Sequence, residues 1–362
     1  MRLADSRSFF VICPVAWAVG LRQRPFWRAF WVCVLGCGLM GTLQAQSLPS
    51  PTVATPTRSV HEWLMRMHEA SRQRAYTGTM VVSAGATMST SRVAHVCDGT
   101  QQMEQIENLT GAPQITLRRN DEVMTLNPES RTARLEKRTT LGQFPELLRT
   151  SGSHLADWYA AVERSPERVA GHWADVVDIQ PKDAWRFGFR IWAEKQTGLV
   201  LKMQTLGEQG AVLEQIAFTE LQLDAPVSMG KLVRLMKDTR GYEVQRVTLR
   251  KTTPEAEGWR LKEGVPGFVA VSCHVRETSS NAPGEGASMG AAPMQWVFSD
   301  GLASVSLFVE PFDAQRHTQE KTLATGATHS LTRRVGGYWL TVLGEVPAPT
   351  LRRFASALER GR

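Results

Sequence analysis

After residue 45 the chain has no run of about 18 consecutive apolar residues, so nothing beyond that point reads as a membrane-crossing helix. Signatures of catalysis are missing too. There is no Gly-x-Ser-x-Gly elbow, no phosphate-binding Gly-Lys-Ser/Thr loop, no dinucleotide fingerprint and no His-Glu-x-x-His pair. His61 and His68, the closest histidines, share a helix face about 10 Å apart, too far to hold a metal without further ligands. Asp175 and Asp178 fall in a strand-like run and point to opposite faces. Of five cysteines three precede residue 46, leaving Cys97 and Cys273. An exported compartment permits a bridge between them, and a small buried hydrophobe is the other reading of each. Positive charge is also scarcer than the total suggests. Net charge is +7, but five arginines and one aspartate lie before residue 46, so a surplus of three remains. These absences exclude the commonest enzyme plans. They lead us to expect no catalytic, cofactor or metal site and no nucleic-acid partner.

The N-terminal segment is informative. Arg22, Arg24 and Arg28 precede an apolar run, Phe30–Met40, followed by small and polar residues through Ala45. That is the plan of a secretory signal peptide, with a core too short to span a bilayer. Cleavage is expected near Ala45, which sends the mature chain out of the cytoplasm. Val34-Leu35-Gly36-Cys37 also has some likeness to a lipidation site, and a Cys37 anchor is the alternative.

About 317 residues follow, enough for two domains. Ser59 and Glu62 form a capping box for an amphipathic helix from Val60 to about Arg74, with Val60, Trp63, Leu64 and Met67 as its apolar stripe. From Tyr76 to Arg138 the period falls to two. Short runs punctuated by Asp98-Gly99, Asn120-Asp121 and Asn127-Pro128 predict an antiparallel meander. Phe144 to Val162 reads as helical. Strands resume over 172–179, 184–193, 199–206 and 211–223. In the run Trp185–Trp192, alternation puts Trp185, Phe187, Phe189 and Ile191 on one face and Arg186, Gly188, Arg190 and Trp192 on the other. So aromatic a face must meet a helix or a lipid-sized cavity. Residues 224–241 read as a linker with a short helical patch, Leu232–Met236. Beyond it, Val269–Glu277, Gln295–Ser299, Leu302–Glu310 and Tyr338–Gly344 read as strands. Asp300-Gly301 is the turn of a hairpin, and Pro349 opens a last helix striped by Leu351, Phe354, Ala355 and Leu358. Residues 331–362 carry a local excess of arginine (Arg333, Arg334, Arg352 and Arg353 among them), which suits an acidic partner or anionic lipid as well as it suits a solvated face.

The predicted fold class is α+β. It combines a curved N-terminal antiparallel half-barrel with packed helices and a smaller C-terminal antiparallel sheet with a terminal helix. The expected divisions are a signal peptide over 1–45, the half-barrel over 58–223, the linker over 224–241 and a C-terminal domain over 242–362. The order of elements in the first domain resembles the periplasmic lipoprotein-carrier fold. Three C-terminal stretches sharpen the likeness: Trp259-Arg260-Leu261-Lys262-Glu263-Gly264-Val265-Pro266-Gly267-Phe268, then Phe298-Ser299-Asp300-Gly301-Leu302 with its following strand, then Leu340-Thr341-Val342-Leu343-Gly344-Glu345-Val346-Pro347. Together they resemble the RseB/MucB family, periplasmic regulators of the envelope-stress sigma factor.

The resemblance implies a non-catalytic regulator without cofactors. Such a protein binds the periplasmic segment of a membrane-spanning anti-sigma factor, shields it from proteolysis, and is released by a lipid, lipoprotein or lipopolysaccharide signal. It leaves homo-oligomerisation open. On that reading Trp63, Met67, Trp158, Trp185, Phe187, Phe189 and Ile191 are candidates to line a lipid pocket. Arg118, Arg119, Arg186, Arg190, Arg333, Arg334, Arg352 and Arg353 are candidates for anionic groups or the partner. The rivals are a lipid or lipoprotein carrier, which leaves the C-terminal unit unexplained, and an exported hydrolase with dispersed acids.

Overall fold

Ser59 starts the first helix as its spacing to Glu62 predicts. Ser59 Oγ accepts from the Glu62 N–H at 3.2 Å, and Glu62 Oε2 accepts from the Ser59 N–H at 2.7 Å. The helix, α1 (Val60–Gln73), buries Val60, Trp63, Leu64 and Met67. The computed structural model describes residues 58–137, 154–278 and 293–361. The expected signal peptide with its cleavage point, the first part of the Phe144–Val162 helix and most of the Ser279–Pro293 loop lie outside them.

The expected meander forms as β1 (Tyr76–Ala84), β2 (Thr87–Cys97), β3 (Gln102–Asn108), β4 (Ile115–Arg119), β5 (Glu122–Asn127) and β6 (Thr132–Lys137). After a short helix, α2 (Leu155–Trp158), come β7 (Tyr159–Val169), β8 (His172–Pro181), β9 (Gly188–Glu194), β10 (Val200–Leu206), β11 (Val212–Leu223) and α3 (Met229–Lys237). The C-terminal half holds β12 (Glu243–Lys251), β13 (Trp259–Leu261), β14 (Val269–Thr278), β15 (Met294–Ser299), β16 (Ser304–Pro311), β17 (Lys321–Thr325), β18 (Thr328–Val335), β19 (Tyr338–Gly344), α4 (Ala348–Ala357) and β20 (Leu358–Arg360).

Pairing runs β7-β8-β9-β10-β11-β1-β2-β3-β4-β5-β6 through the first half. It continues β12-β14-β15-β16-β19-β18-β17 through the second. The two runs are hydrogen-bonded to one another. β6 pairs with β12 in parallel, Thr132 opposite Glu243 and Glu136 opposite Val247. The two expected sheets are thus one 18-stranded network, with β13 and β20 as a separate pair.

Register decides which side each helix covers. Tyr76 stands opposite His95 and Val93 opposite Ile106, and Ala70 of α1 packs on the face that holds Tyr76 and Val93. Val96, Met103, Leu117 and Met124 lie on the other face, under Leu232 and Met236 of α3. So the stretch read as a linker carries a helix that closes a hydrophobic cluster. The second half has its own core, in which Trp296, Phe298, Leu307 and Val342 pack under Leu351 and Phe354 of α4.

Four expectations change in detail. The helix predicted to Val162 ends at Trp158, and β7 follows. Seven of its residues, Val162 to Arg168, are exposed in succession, so it shows no alternation, and Pro166 is tolerated at its bulge because β7 is an edge. The strand predicted from Ala184 begins only at Gly188. Asp183 Oδ1 accepts from the Trp185 N–H and from Arg186 Nε, each at 3.0 Å, and that turn takes 183–187 out of the ladder. The Asp300-Gly301 connection is a four-residue loop, 300–303, closed by Asp300 Oδ1 accepting from Leu302 and Ala303 N–H at 2.9 and 2.8 Å. Cys97 and Cys273 are unbridged; Cys273 is buried on β14.

Candidate functional site

The segment after β8 leaves the sheet and enters the junction between the halves, where Arg186 is its centre. The guanidinium donates to Asp183 at 3.0 Å, to Asp300 Oδ2 at 3.0 Å and to the Pro266 carbonyl at 2.5 Å. Its side chain has 0% exposure, as has that of Asp300. Trp158, Tyr159 and Phe268 surround it, their ring centres 4.8, 5.6 and 5.2 Å from Arg186 Cζ. Tyr159 Oη donates to Asp300 Oδ2 at 2.9 Å. Burial lifts the Asp300 carboxyl above its ordinary value against the pull of the Leu302 and Ala303 amides and Arg186, and pushes the Tyr159 phenol well up. Gly267, at φ +82°, lies against Trp158, and a Cβ there would come within 2.6 Å of the indole. Two stretches that carried the family resemblance, Val265-Pro266-Gly267-Phe268 and Ser299-Asp300-Gly301-Leu302, therefore both close on this arginine. Because desolvation offsets the attraction, a buried ion pair is weak evidence of net stability, although removing one partner is costly.

Beside this clasp opens a cavity of about 770 Å³. Phe187, Leu206, Leu213 and Pro347 supply apolar wall, and Arg164, Arg190, Asp183 and His329 supply polar wall. The first half contributes most of it; His329, Pro347, Ala348 and Pro349 close it from the second. Arg190 Nε and Arg164 Nη2 both reach Asp178, at 2.6 and 2.8 Å. Burial alone would raise the Asp178 carboxyl, but the two arginines outweigh it and hold it below the usual range. Phe187 meets the His329 ring edge-on at 5.5 Å.

The aromatic run is divided between three surroundings. Phe189 and Ile191 are buried with Trp63 and Met67 in a filled cluster under α1. Trp185 packs on the C-terminal core, with Arg353 Cζ 5.1 Å above it and Thr350 Oγ1 donating to its carbonyl at 2.7 Å. Trp158 stacks on Arg186. Only Phe187, of the seven residues considered for a lipid pocket, lines the cavity. That cavity lies instead on the side of the sheet where Gly188 and Arg190 point.

The arginines are dispersed as well. Arg186 and Arg190 meet at the cavity. Arg118 donates to the Asn120 carbonyl and Arg119 to Gln101, both at the β4–β5 end. Arg333 is half-buried on β18, and Arg334 stacks on Phe312 at 4.1 Å. Arg353 pairs with Glu263 at 2.9 Å, whereas Arg352 is exposed. Sequence reasoning missed Arg164, Asp178, Asp183, His329 and Asp300 as site residues. Asp300 had a signal, its place in the Ser-Asp-Gly-Leu stretch; the others had none, because they converge from separate strands. Among the described residues no group of His, Cys, Asp or Glu could hold a metal ion, and no helix is long and apolar enough to cross a membrane.

Comparison with known proteins agrees with this architecture. Residues 59–236 match the MucB/RseB N-terminal domain and residues 253–359 the MucB/RseB C-terminal domain. The sigma factor AlgU regulatory protein MucB of Pseudomonas aeruginosa is 30% identical over 327 residues, 88% of this chain and 95% of that protein. The sigma-E factor regulatory protein RseB of Haemophilus influenzae is 23% identical over 88% of this chain and 96% of its own length. Among solved structures, the Pseudomonas aeruginosa MucA/MucB complex superposes with a TM-score of 0.63 at 27% identity, covering 83% of this chain and 99% of that one. A second structure, MucB in complex with MucA(peri), gives a TM-score of 0.62 at 27% identity over 83% and 98%. Matches to both domains, in order and over nearly the whole of the relatives, show that this chain belongs to the MucB/RseB family of sigma-factor regulatory proteins, which bind rather than catalyse.

Proposed function

We propose that this protein binds the periplasmic segment of a membrane-spanning anti-sigma factor, shields that segment from regulated proteolysis, and lets it go when a lipidic envelope-stress signal arrives. One observation carries the reading: the chain shares its fold and 27% of its sequence, over almost all of MucB, with a structure in which MucB holds MucA(peri). A signal peptide cleaved near Ala45 would deliver it to the periplasm. The half-barrel over 58–223 is the proposed signal-sensing unit and 242–362 the main partner-binding unit, joined at the Arg186 clasp. In physical terms the signal must bind the released state better than the complexed one. The filled cluster around Phe189 supports a lipid acting at the arginine-lined cavity or at the surface rather than under α1. A simple test is limited proteolysis of the anti-sigma periplasmic segment with and without the full chain. We expect cleavage to slow in its presence and to recover when lipopolysaccharide is added. Equal cleavage rates with and without the protein would overturn the shielding role.

A further inference from the structure

The sheet face covered by α3 carries an excess of positive charge. Ser228 caps the helix, its Oγ accepting from the Lys231 N–H at 3.3 Å, and Leu232 and Met236 are buried on Met103, Leu117 and Met124. That leaves Lys231, Arg234, Leu235 and Asp238 as the outward stripe, all four exposed, at spacings of three and four. Leu235 keeps 40% exposure. The sheet extends the charge beside the helix. Arg119 and Lys237 rim a small groove of about 160 Å³ whose apolar wall is Met124, Leu135, Val233 and Met236. Arg246 stands beside Leu135 in the β6–β12 pairing, and Lys137 stands opposite Glu122, the acid of that groove. Among the described residues Lys137, Lys231, Arg234, Lys237 and Arg246 form no ion pair, whereas Asp238 is held by Arg240 at 2.6 Å. Asp121, in the β4–β5 turn, is the other acid nearby. Helix polarity accounts for Arg234 and Lys237, which lie in the last turn. It does not account for Lys231, which lies in the first turn with no acid beside it and three residues from the like charge of Arg234.

We propose that the α3 face docks the protein on an anionic phospholipid bilayer, with Lys231, Arg234, Lys237, Arg246 and Arg119 meeting the headgroups and Leu235 reaching into the headgroup layer. Charge complementarity selects an anionic partner: each basic side chain near such a surface adds attraction, and the aliphatic stems of lysine and arginine let the charge extend to it. Shape selects a membrane over an acidic peptide. The charges stand on the outer surface of a helix and the sheet around it rather than in a cleft, and the groove beside them is too small for an extended chain. An exposed leucine among the basic groups suits an interface that is part apolar. This face shares no residue with the cavity beside Arg186. Docking through it is independent of partner binding and of the lipidic release signal, and it would keep the protein beside a membrane-spanning partner.

The test uses the full chain and vesicles of phosphatidylglycerol with phosphatidylethanolamine, with phosphatidylcholine vesicles as the neutral reference. At about 50 mM salt the chain should sediment with the anionic vesicles and not with the neutral ones, and binding should fall away by about 300 mM as the charges are screened. The triple variant Lys231→Glu, Arg234→Glu, Lys237→Glu should bind the anionic vesicles about tenfold or more weakly. A variant with the same change of net charge at other exposed sites, Lys195→Glu, Lys251→Glu, Lys321→Glu, should bind as the parent does. Leu235→Asn changes no charge and should weaken binding about threefold. Thermal melts check folding, and glutamine at the three α3 positions replaces glutamate if the first variant fails to fold. Equal loss in the two triple variants would reduce the effect to net charge and overturn the docking face. So would an absence of vesicle binding by the parent at low salt, or unchanged binding by Leu235→Asn. Tighter binding of a synthetic glutamate-rich peptide, lost in the α3 variant, would also overturn it and mark an acidic protein partner instead. None of these outcomes bears on whether the chain holds an anti-sigma segment, which the proteolysis experiment decides separately.

Discussion

Arg186 stands fully buried between Asp183 and Asp300, so its loss leaves the buried Asp300 carboxylate without its cation. Removing one member of a buried pair typically costs about 3–5 kcal/mol. Arg186→Met should destabilise the chain by that order in urea unfolding. Arg186→Lys should recover little, because one ammonium cannot reach Asp183, Asp300 and the Pro266 carbonyl in the planar fork that the guanidinium supplies. Asp178 gives a pH dependence whose sign is fixed by its neighbours. Its folded pKa lies below the ordinary value because Arg190 and Arg164 outweigh burial. The stability it contributes is thus present above the unfolded aspartate pKa of about 3.9 and disappears as pH falls through the lower folded value. Asp178→Asn should flatten the acid limb of the stability curve below about pH 4, measured by denaturant unfolding across pH.

At the scale of elements, α3 is the clearest test of architecture. Leu232 is buried at 3% exposure and Met236 at 8%, both on the sheet face opposite α1. Leu232→Ala should cost about 2–5 kcal/mol, the usual range for emptying a core site. A flexible connector would show almost no change, so equilibrium unfolding separates the two. β7 and the run after β8 show why patterns failed here. Alternation reports burial on one face, and β7 is an edge strand exposed along most of its length. Its first residues, Tyr159 to Val162, then read as a continuation of the helix before them, Ala160 and Ala161 having helical propensity. For residues 183–187 the period was present but a side chain, Asp183, turned the backbone out of register. Patterns succeeded for the capping box, the β1–β6 meander and the α4 stripe, because each is a local rule with its own core face.

For the whole molecule, the pairing of β6 with β12 makes one hydrogen-bonded network of two halves, and residues 55–362 form a single compact unit. A partner bound at the junction therefore feels both halves. Long-range charge should act on the rate at which it arrives. Arg352 is exposed on α4 and free of the Glu263 pairing that occupies its neighbour Arg353. Arg352→Glu should slow association with an acidic partner segment at low salt, with little effect on dissociation, and the difference should shrink as salt rises. Stopped-flow or surface-based kinetics at two ionic strengths would show it; unchanged association at low salt would return Arg352 to the ordinary solvated surface.

The sequence by itself determined the α+β class, the capped first helix, the meander, the terminal helix and, through three short stretches, the family. Each of these depends on residues within a turn or a strand of one another, so spacing alone expresses it. Only the tertiary structure decided where the aromatic run goes. Alternation says which residues share a side of a strand. It does not say what lies over that side, and here the side holding Phe189 and Ile191 is filled by α1 while the opposite side opens to the cavity. The same holds for the clasp. Tyr159, the Asp183–Arg186 turn, Pro266 and Asp300 are far apart in the chain and carry no common period. What joins them is the desolvation of one arginine, which has to collect every acceptor within reach once the two halves close around it.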